Sequence, residues 1–320
     1  MSDKYKKRQN EFYRMTDASN PIAYGVRYVL EVFRWIFFVI YSIGRGIFRT
    51  IVPNSVLRKK SLNGKTILLT GAGGGIGREL AKQLAEQDAR LVLWDLSSVG
   101  NDETAQICQK IGAKVYCQTV DVTDRKAVYR AADELRNDFG EPDILINNAG
   151  VLNASPFLEC NDDKMSKLID VNTKSLFWVT KAFLPKMVDR GSGHVVTLAS
   201  IAAILGAPLL VDYAASKHAA FGFMQSLQLQ LQLMKAPPIA FTTICPYYTT
   251  TPMINDLKSQ IVDSRFALLT SEYVAKKTIE AIRLEQRVLI MPNEMAAFYS
   301  IFSLLPWNLG ESIILRRRVY

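Results

Sequence analysis

The sequence predicts an α/β protein: a doubly wound parallel sheet of about seven strands, with helices on both faces and a membrane-associated helix ahead of it. Three observations carry this. Seven short apolar runs recur along the chain, separated by stretches of helical length. Runs of that size mark strands buried on both faces, and the long spacers supply the crossovers that parallel strands need. A glycine cluster stands between the first run and the helical stretch that follows. Finally, 320 residues with 49% apolar composition suffice for one large domain plus a short extension.

Taken in order, residues 1–27 are polar, with no apolar core directly behind Met1, so a cleaved secretory leader is not expected. Residues 28–60 form an anchor and basic linker. Its apolar part, Tyr28 to Ile43, is short of the ~20 residues a spanning helix needs and is interrupted by Glu31 and Arg34, which can pair on one helical face. If it crosses, Arg45, Arg49, Arg58, Lys59 and Lys60 behind it outnumber Arg14 and Arg27 ahead, so the following domain faces the cytosol. That catalytic domain covers 61–292. Its strands are Ile67–Leu69, Leu91–Trp94, Val115–Val120, Ile144–Ile146, Val195–Leu198, Ile239–Ile244 and Val288–Ile290. The last segment, 293–320, holds the apolar run Met295–Trp307 and the cluster Arg316–Arg318, which together suit an interfacial segment at a substrate entrance.

The formal net charge is +9, but its location decides its meaning. Residues 1–60 carry twelve Lys and Arg against four Asp and Glu, and residues 311–320 carry three against one, leaving 24 against 25 between them. Basic tails beside apolar segments point to anionic lipid headgroups; a nucleic-acid partner, which would need a basic face on the folded domain, is not expected. Cys108, Cys117, Cys160 and Cys245 form no metal-ligand spacing, and only His194 and His218 could join them, so no metal is expected and the thiols read as reduced and buried.

Directly after the first strand stands Thr70-Gly71-Ala72-Gly73-Gly74-Gly75-Ile76-Gly77. A glycine turn there lets backbone approach a pyrophosphate, whose charge meets the amide groups at the next helix's N-terminus. Gly71, Gly75, Ile76 and Gly77 are the candidate cradle, in a Gly-x-x-x-Gly-x-Gly spacing. Asp95 ends the second strand, where a carboxylate can bind ribose hydroxyls and repel the extra phosphate of NADP. No Lys or Arg lies within the glycine loop, so NAD is the expected cofactor and NADP the lesser one. Tyr213 and Lys217, four apart, share a helical face, where the ammonium can lower the phenol's pKa from its ordinary value of about 10. Tyr273 and Lys277 repeat the spacing, but only the first pair follows, by thirteen residues, a serine that ends a strand, Ser200; the second pair reads as a solvated face.

The Thr70–Gly77 loop, Asp121-Val122, Asn147-Asn148-Ala149-Gly150, Asn172, Ser200, and Tyr213 with Lys217 resemble the short-chain dehydrogenase/reductase superfamily, in the family's order and over residues 62 to about 292. Leu91 to Asp95, Thr180 to Pro185 and the apolar leader before Arg58-Lys59-Lys60 are similar to its membrane- and lipid-droplet-associated 17-beta-hydroxysteroid and retinol dehydrogenases. The resemblance implies a Rossmann-type fold and an NAD-dependent oxidoreductase of lipophilic alcohols or ketones. It implies Tyr213 as general acid/base, Lys217 on the nicotinamide ribose, Ser200 on the reacting oxygen and Asn172 supporting a proton-relay water. Asp121 with Val122 would meet adenine, Asn148 would begin the wall beside the cofactor, and Pro246 and Thr251 would frame the nicotinamide turn. Where the family usually shows glycine after Pro246, this chain has Tyr247, which could narrow the pocket. A homodimer through the helices holding Lys164–Lys186 and Tyr213–Met234, and a location at the endoplasmic reticulum membrane or lipid droplets, are also implied. The competing readings are a lipid-surface scaffold that keeps the fold and an NADP-dependent reductase. His218 reads as a helix-surface residue, and Asn153-Ala154-Ser155 as an unmodified glycan acceptor pattern.

Overall fold

A computed structural model describes residues 21–51, 57–257 and 267–303. The expectations placed on residues 1–20, on Leu304 to Trp307 and on Arg316–Arg318 lie outside them. The chain forms two compact units, Met1–Lys59 and Lys60–Tyr320. In the first, helix α1 (Pro21–Ile51) runs 31 residues, about 46 Å at 1.5 Å per residue. It extends beyond the apolar run at both ends. Glu31 and Arg34 pair at 3.0 Å, and Phe33, Trp35, Phe37 and Ile40 are exposed. Charged positions 27, 31, 34, 45 and 49 recur at helical spacing and share one stripe, with apolar residues around the remainder. Among the described residues, no helix is long and apolar enough to cross a membrane.

In the second unit, every one of the seven predicted runs becomes a strand: β1 (Thr66–Thr70), β2 (Arg90–Asp95), β3 (Val115–Thr119), β4 (Ile144–Asn147), β5 (His194–Leu198), β6 (Ala240–Pro246) and, at the far edge, Val288–Met291. The last is β9, because two-residue strands β7 (Thr249–Thr250) and β8 (Leu269–Thr270) pair separately before it. The main sheet is parallel throughout, in the order β3-β2-β1-β4-β5-β6-β9. The chain winds outward from β1 to β3, then returns to lay β4 on the other side of β1. At that reversal the loops diverge and open a crevice above the strands' carboxyl ends.

The crossovers are α2 (Gly75–Ala85), α3 (Ser98–Ile111), α4 (Arg125–Asp138), α6 (Ser175–Arg190), α7 (Val211–Leu233) and α8 (Ser271–Leu284), with α5 (Asp162–Ile169) before α6 and α9 (Asn293–Phe302) after β9. Their buried positions follow the helical period: α2 buries Gly77, Leu80, Ala81, Leu84 and Ala85. Alternate strand residues serve opposite faces. Ile67, Leu69, Leu91 and Leu93 pack with Leu80, Leu84, Val274 and Ile282 on one side; Leu68, Val92 and Trp94 pack with Val128, Leu135, Val179 and Phe183 on the other. Helix ends are set locally. Asp124 accepts the Lys126 N–H at 2.8 Å to start α4, and Gly112 and Gly191 stop α3 and α6 in the left-handed conformation. The stretch expected as one helix over Lys164–Lys186 is broken by a π-helical turn, Asp170–Lys174. The thiols depart from expectation: Cys108 and Cys245 are buried, but Cys117 and Cys160 are half-buried; all four are free.

Candidate active site

Above the β1–β4 reversal the backbone of the glycine loop is held from below. The Thr70 hydroxyl accepts the N–H groups of Asn148 and Ala149 at 3.1 Å each, and Asn148 Nδ2 donates to the carbonyls of Thr70 (3.0 Å) and Gly71 (2.9 Å). Two glycines there are obligatory. Gly71 has φ +66°, and a Cβ on it would lie 2.8 Å from Ala149 Cα; a Cβ on Gly77 would overlap the Gly71 carbonyl. Over the loop, Thr251 sits 3.4 Å from where a Cβ on Gly75 would be. This close-packed backbone cradle at the start of α2 is the form an anionic diphosphate requires.

Asp95, at the end of β2, accepts the Gly73 N–H through Oδ2 and the Ser97 N–H through Oδ1, both at 2.8 Å. Those bonds aim the carboxylate at the rim of the crevice, which it lines. Arg78 is the surprise. It follows the loop rather than lying in it, yet its guanidinium reaches back to the Gly73 carbonyl at 2.8 Å and to Glu103 at 2.7 Å. The absence of a basic residue within the glycine loop therefore does not leave the loop without a cation. A charged residue one position past the last glycine was the available signal.

A cavity of about 540 Å³ runs from Gly71 and Asp95 to the Tyr248 and Ile254 side, lined also by Gly75, Ile76, Gly77, Asn148, Ser200, Tyr213, Lys217, Pro246 and Thr251. Ser200 stands just past β5 as the cap of a short turn, its Oγ accepting the Ala202 N–H at 3.1 Å. Tyr213 and Lys217 come from the first turns of α7, one turn apart. The Tyr213 phenol hydrogen-bonds Ser200, and Lys217 Nζ donates to the Leu198 carbonyl at 3.0 Å, 5.5 Å from the Tyr213 ring centroid. Burial dominates the electrostatics. It pushes Tyr213 up to about 12, against the downward pull of the Ser200 hydrogen bond, and holds Lys217 down at about 8. The expected lowering of the phenol by Lys217 is thus not met in this geometry: desolvation of the phenolate dominates, and the one downward pull comes from Ser200.

Three predicted site residues do not line the cavity. Asp121 is exposed at the end of β3, its carboxylate accepting the Thr123 N–H (2.8 Å) and hydroxyl (2.7 Å), with Val122 buried beside it. Asn172 lies behind the wall in the π-helical turn, where its amide exchanges two 2.9 Å bonds with the Val151 backbone and donates to Ser216 Oγ at 3.1 Å. Its Oδ1 and Lys217 Nζ flank Gly150, at 3.3 and 3.5 Å from a Cβ built there, so a side chain at 150 would crowd Asn172 and touch Lys217. Tyr247 has ordinary backbone dihedrals, so glycine is not needed there; its ring meets Tyr248 edge-on at 4.9 Å and both line the cavity.

The far end of the cavity is apolar, with Leu152, Leu210 and Ile254 packed with Tyr213 and Tyr248, and Met295 of α9 reaching the wall. Sequence reading placed Met295 at the start of an apolar run suited to a substrate entrance, without counting it among the site residues. It also missed Asp212, which accepts from Asn153 Nδ2 at 2.9 Å and from the Tyr213 N–H at 2.8 Å, tying the acceptor-like Asn153 to the helix that carries Tyr213. The second tyrosine–lysine pair is not fully solvated: Tyr273 packs on the core and Lys277 pairs with Glu280 at 3.1 Å. His218 is exposed, as expected, and bonds the Ala214 carbonyl.

Residues 65–261 match the profile of the short chain dehydrogenase family. Mouse (Mus musculus) epidermal retinol dehydrogenase 2 is 40% identical over 253 residues, 79% of this chain and 82% of that protein. Rat (Rattus norvegicus) 17-beta-hydroxysteroid dehydrogenase 13 is 34% identical over 265 residues, 83% of this chain and 86% of that one. Among solved structures, a short chain dehydrogenase/reductase from Burkholderia phymatum in complex with NAD superposes with TM-score 0.71 at 25% identity, covering 82% of this chain and 98% of its own.

Proposed function

The chain belongs to the short-chain dehydrogenase family and is an oxidoreductase of the CH–OH group; on that premise we propose that it is NAD-dependent and acts on a lipophilic alcohol or ketone, of the retinoid, steroid or fatty-alcohol kind, at a membrane or lipid-droplet surface. The observation that carries this reading is one cavity bringing Ser200, Tyr213 and Lys217 between a glycine cradle and an apolar wall. A dinucleotide fits the cradle: Gly71, Gly75, Ile76 and Gly77 would hold its pyrophosphate, Asp95 a ribose, and Asn148, Pro246 and Thr251 the nicotinamide side. When bound, that cofactor supplies or accepts the hydride.

The protein handles the proton. With its pKa raised to about 12, the Tyr213 phenol is protonated at neutral pH, ready to donate as oxyanion charge develops on a reduced carbonyl. The Ser200 hydroxyl, already bonded to that phenol, holds the reacting oxygen beside it. Lys217, fixed on the Leu198 carbonyl, adds positive charge next to the phenol and would bind the nicotinamide ribose. In the oxidative direction the phenol first releases its own proton along the path behind Lys217, and the phenolate so formed takes the alcohol proton as the hydride leaves. Asn172, held to Val151 and Ser216, supports a water path behind Lys217.

The apolar end of the cavity and the relatives named for retinol and 17-beta-hydroxysteroid substrates support the lipophilic class. For the membrane, α1 offers a narrow charged stripe and exposed aromatic residues, a pattern suited to lying within the headgroup boundary rather than crossing. Exposed Leu229 and Leu233 on α7 support a homodimer face. The test is turnover by the purified, bilayer-reconstituted chain with NAD and a panel of such alcohols. NADH production lost in Tyr213→Phe by about a hundredfold or more, with NADH binding kept, is the expected result. Normal NAD binding with no turnover on any member would sink the enzymatic reading.

A further inference from the structure

The guanidinium of Arg78 occupies a place that the proposed cofactor preference has to contend with. It sits one residue from Asp95 through Gly73: Arg78 donates to the Gly73 carbonyl (2.8 Å), and the Gly73 N–H donates to Asp95 Oδ2 (2.8 Å). Its other bonds go to the Gly100 carbonyl at 3.3 Å and, through Nε, to Thr104 Oγ1 at 3.1 Å. Gly100 packs directly on the loop, since a Cβ there would lie 2.7 Å from the Gly73 carbonyl. The cation is therefore pinned where the glycine loop meets the N-terminus of α3. That N-terminus adds partial positive charge of its own.

An extra ribose phosphate would be placed at this corner, beside Asp95. One carboxylate, sharing Gly73 with a guanidinium and standing near a helix N-terminus, is a weak barrier to a dianion. The corner holds a second, Glu103, whose Oε2 lies 2.7 Å from Arg78 NH2; Asp102 beside it faces Cys117 on β3 at 3.7 Å. We propose that Glu103 is a specificity-determining residue, which neutralises Arg78 so that the ribose corner keeps net negative charge and refuses the phosphate of NADP. This rests on the NAD reading above and deepens it. Neutral acceptors, the carbonyls of Gly73 and Gly100 and the Thr104 hydroxyl, fix the guanidinium independently of Glu103. Removing the carboxylate charge therefore leaves the cation in place and unbalanced.

The experiment is direct binding of NADH and NADPH to the full chain in detergent, read by nucleotide fluorescence. Glu103→Gln shifts the ratio of dissociation constants toward NADPH by about three- to tenfold, the scale of one half-exposed charge acting across a protein surface. Glu103→Asp, which keeps the charge, restores the wild-type ratio, and Arg78→Met added to Glu103→Gln removes the shift. The gain shrinks in 0.5 M salt. A wild type that binds NADH better, with a ratio unmoved in Glu103→Gln, overturns the role of Glu103 alone. A wild type that binds NADPH better overturns the NAD reading itself.

Discussion

Single residues decide the chemistry at two corners of the cavity. Asp95 is bound by two backbone N–H groups, so its charge is positioned by the chain and not by a mobile side chain; Asp95→Ala should lower the NADH over NADPH preference at least tenfold in a binding assay, with NADH affinity itself falling less. Tyr213 and Lys217 are governed by desolvation, one driven up to about 12 and the other down to about 8. Lys217 lowered to about 8 carries its full charge only below that value, so binding that uses the ammonium should weaken as pH rises through about 8, measurable as a falling NADH affinity between pH 7 and 9 in wild type that is absent in Lys217→Met. Both the identity of these residues and their order were legible in the chain. Their pKa directions were not, because enclosure by Ser200, Cys245 and Tyr248 is a property of three separate elements meeting.

At the scale of elements, the glycine turn and the base of the sheet carry the strongest constraints. Gly77→Ala places a methyl into the Gly71 carbonyl, and the shift it forces should cost about 2–3 kcal/mol, seen as a lowered Tm together with loss of NADH binding. At the opposite end of the strands, His194, the first residue of β5, is buried, with Nε2 donating to Thr242 Oγ1 and Nδ1 accepting from Lys60 Nζ, each at 2.8 Å. Thr242 passes its own proton to the Gln286 carbonyl at 2.7 Å, which settles those roles. Burial, helped by Lys60, holds His194 well below its ordinary 6.5. The unfolded chain binds that proton and the folded one does not, so stability is fully present above about pH 6.5 and declines below it, by at most about 1.4 kcal/mol per pH unit. Thermal unfolding from pH 7.5 to 5 should show this slope in wild type and a flatter one in His194→Gln. Strand positions were readable because burial on both faces leaves unbroken apolar runs. The π-helical turn at Asp170–Lys174 was not, since nothing in its composition distinguishes it from the helices either side.

Over the whole molecule, the catalytic unit begins at Lys60, tied to Glu285 at 3.2 Å and by its backbone to Arg283 at 2.8 Å. Deleting residues 28–50 therefore removes no part of the sheet; the shortened chain should fractionate as a soluble protein while keeping NADH binding, and tight membrane retention would shift the anchoring role to the segment beginning at Met295. The lipophilic class was inferred from flanks of the sequence, whereas the apolar wall of Leu152, Leu210 and Ile254 gathers residues about a hundred positions apart and could be seen only once folded. Because all seven strands of the main sheet point the same way, Thr70, Asp95, Asn147, Leu198, Pro246 and Met291 are delivered to a single rim, while Lys60, His194 and Thr242 secure the opposite one. For an engineer this makes the two rims separately editable. Segments 152–160, 201–210 and 247–257 could be transplanted from another chain to change what is oxidised, with the foundations at the other rim untouched.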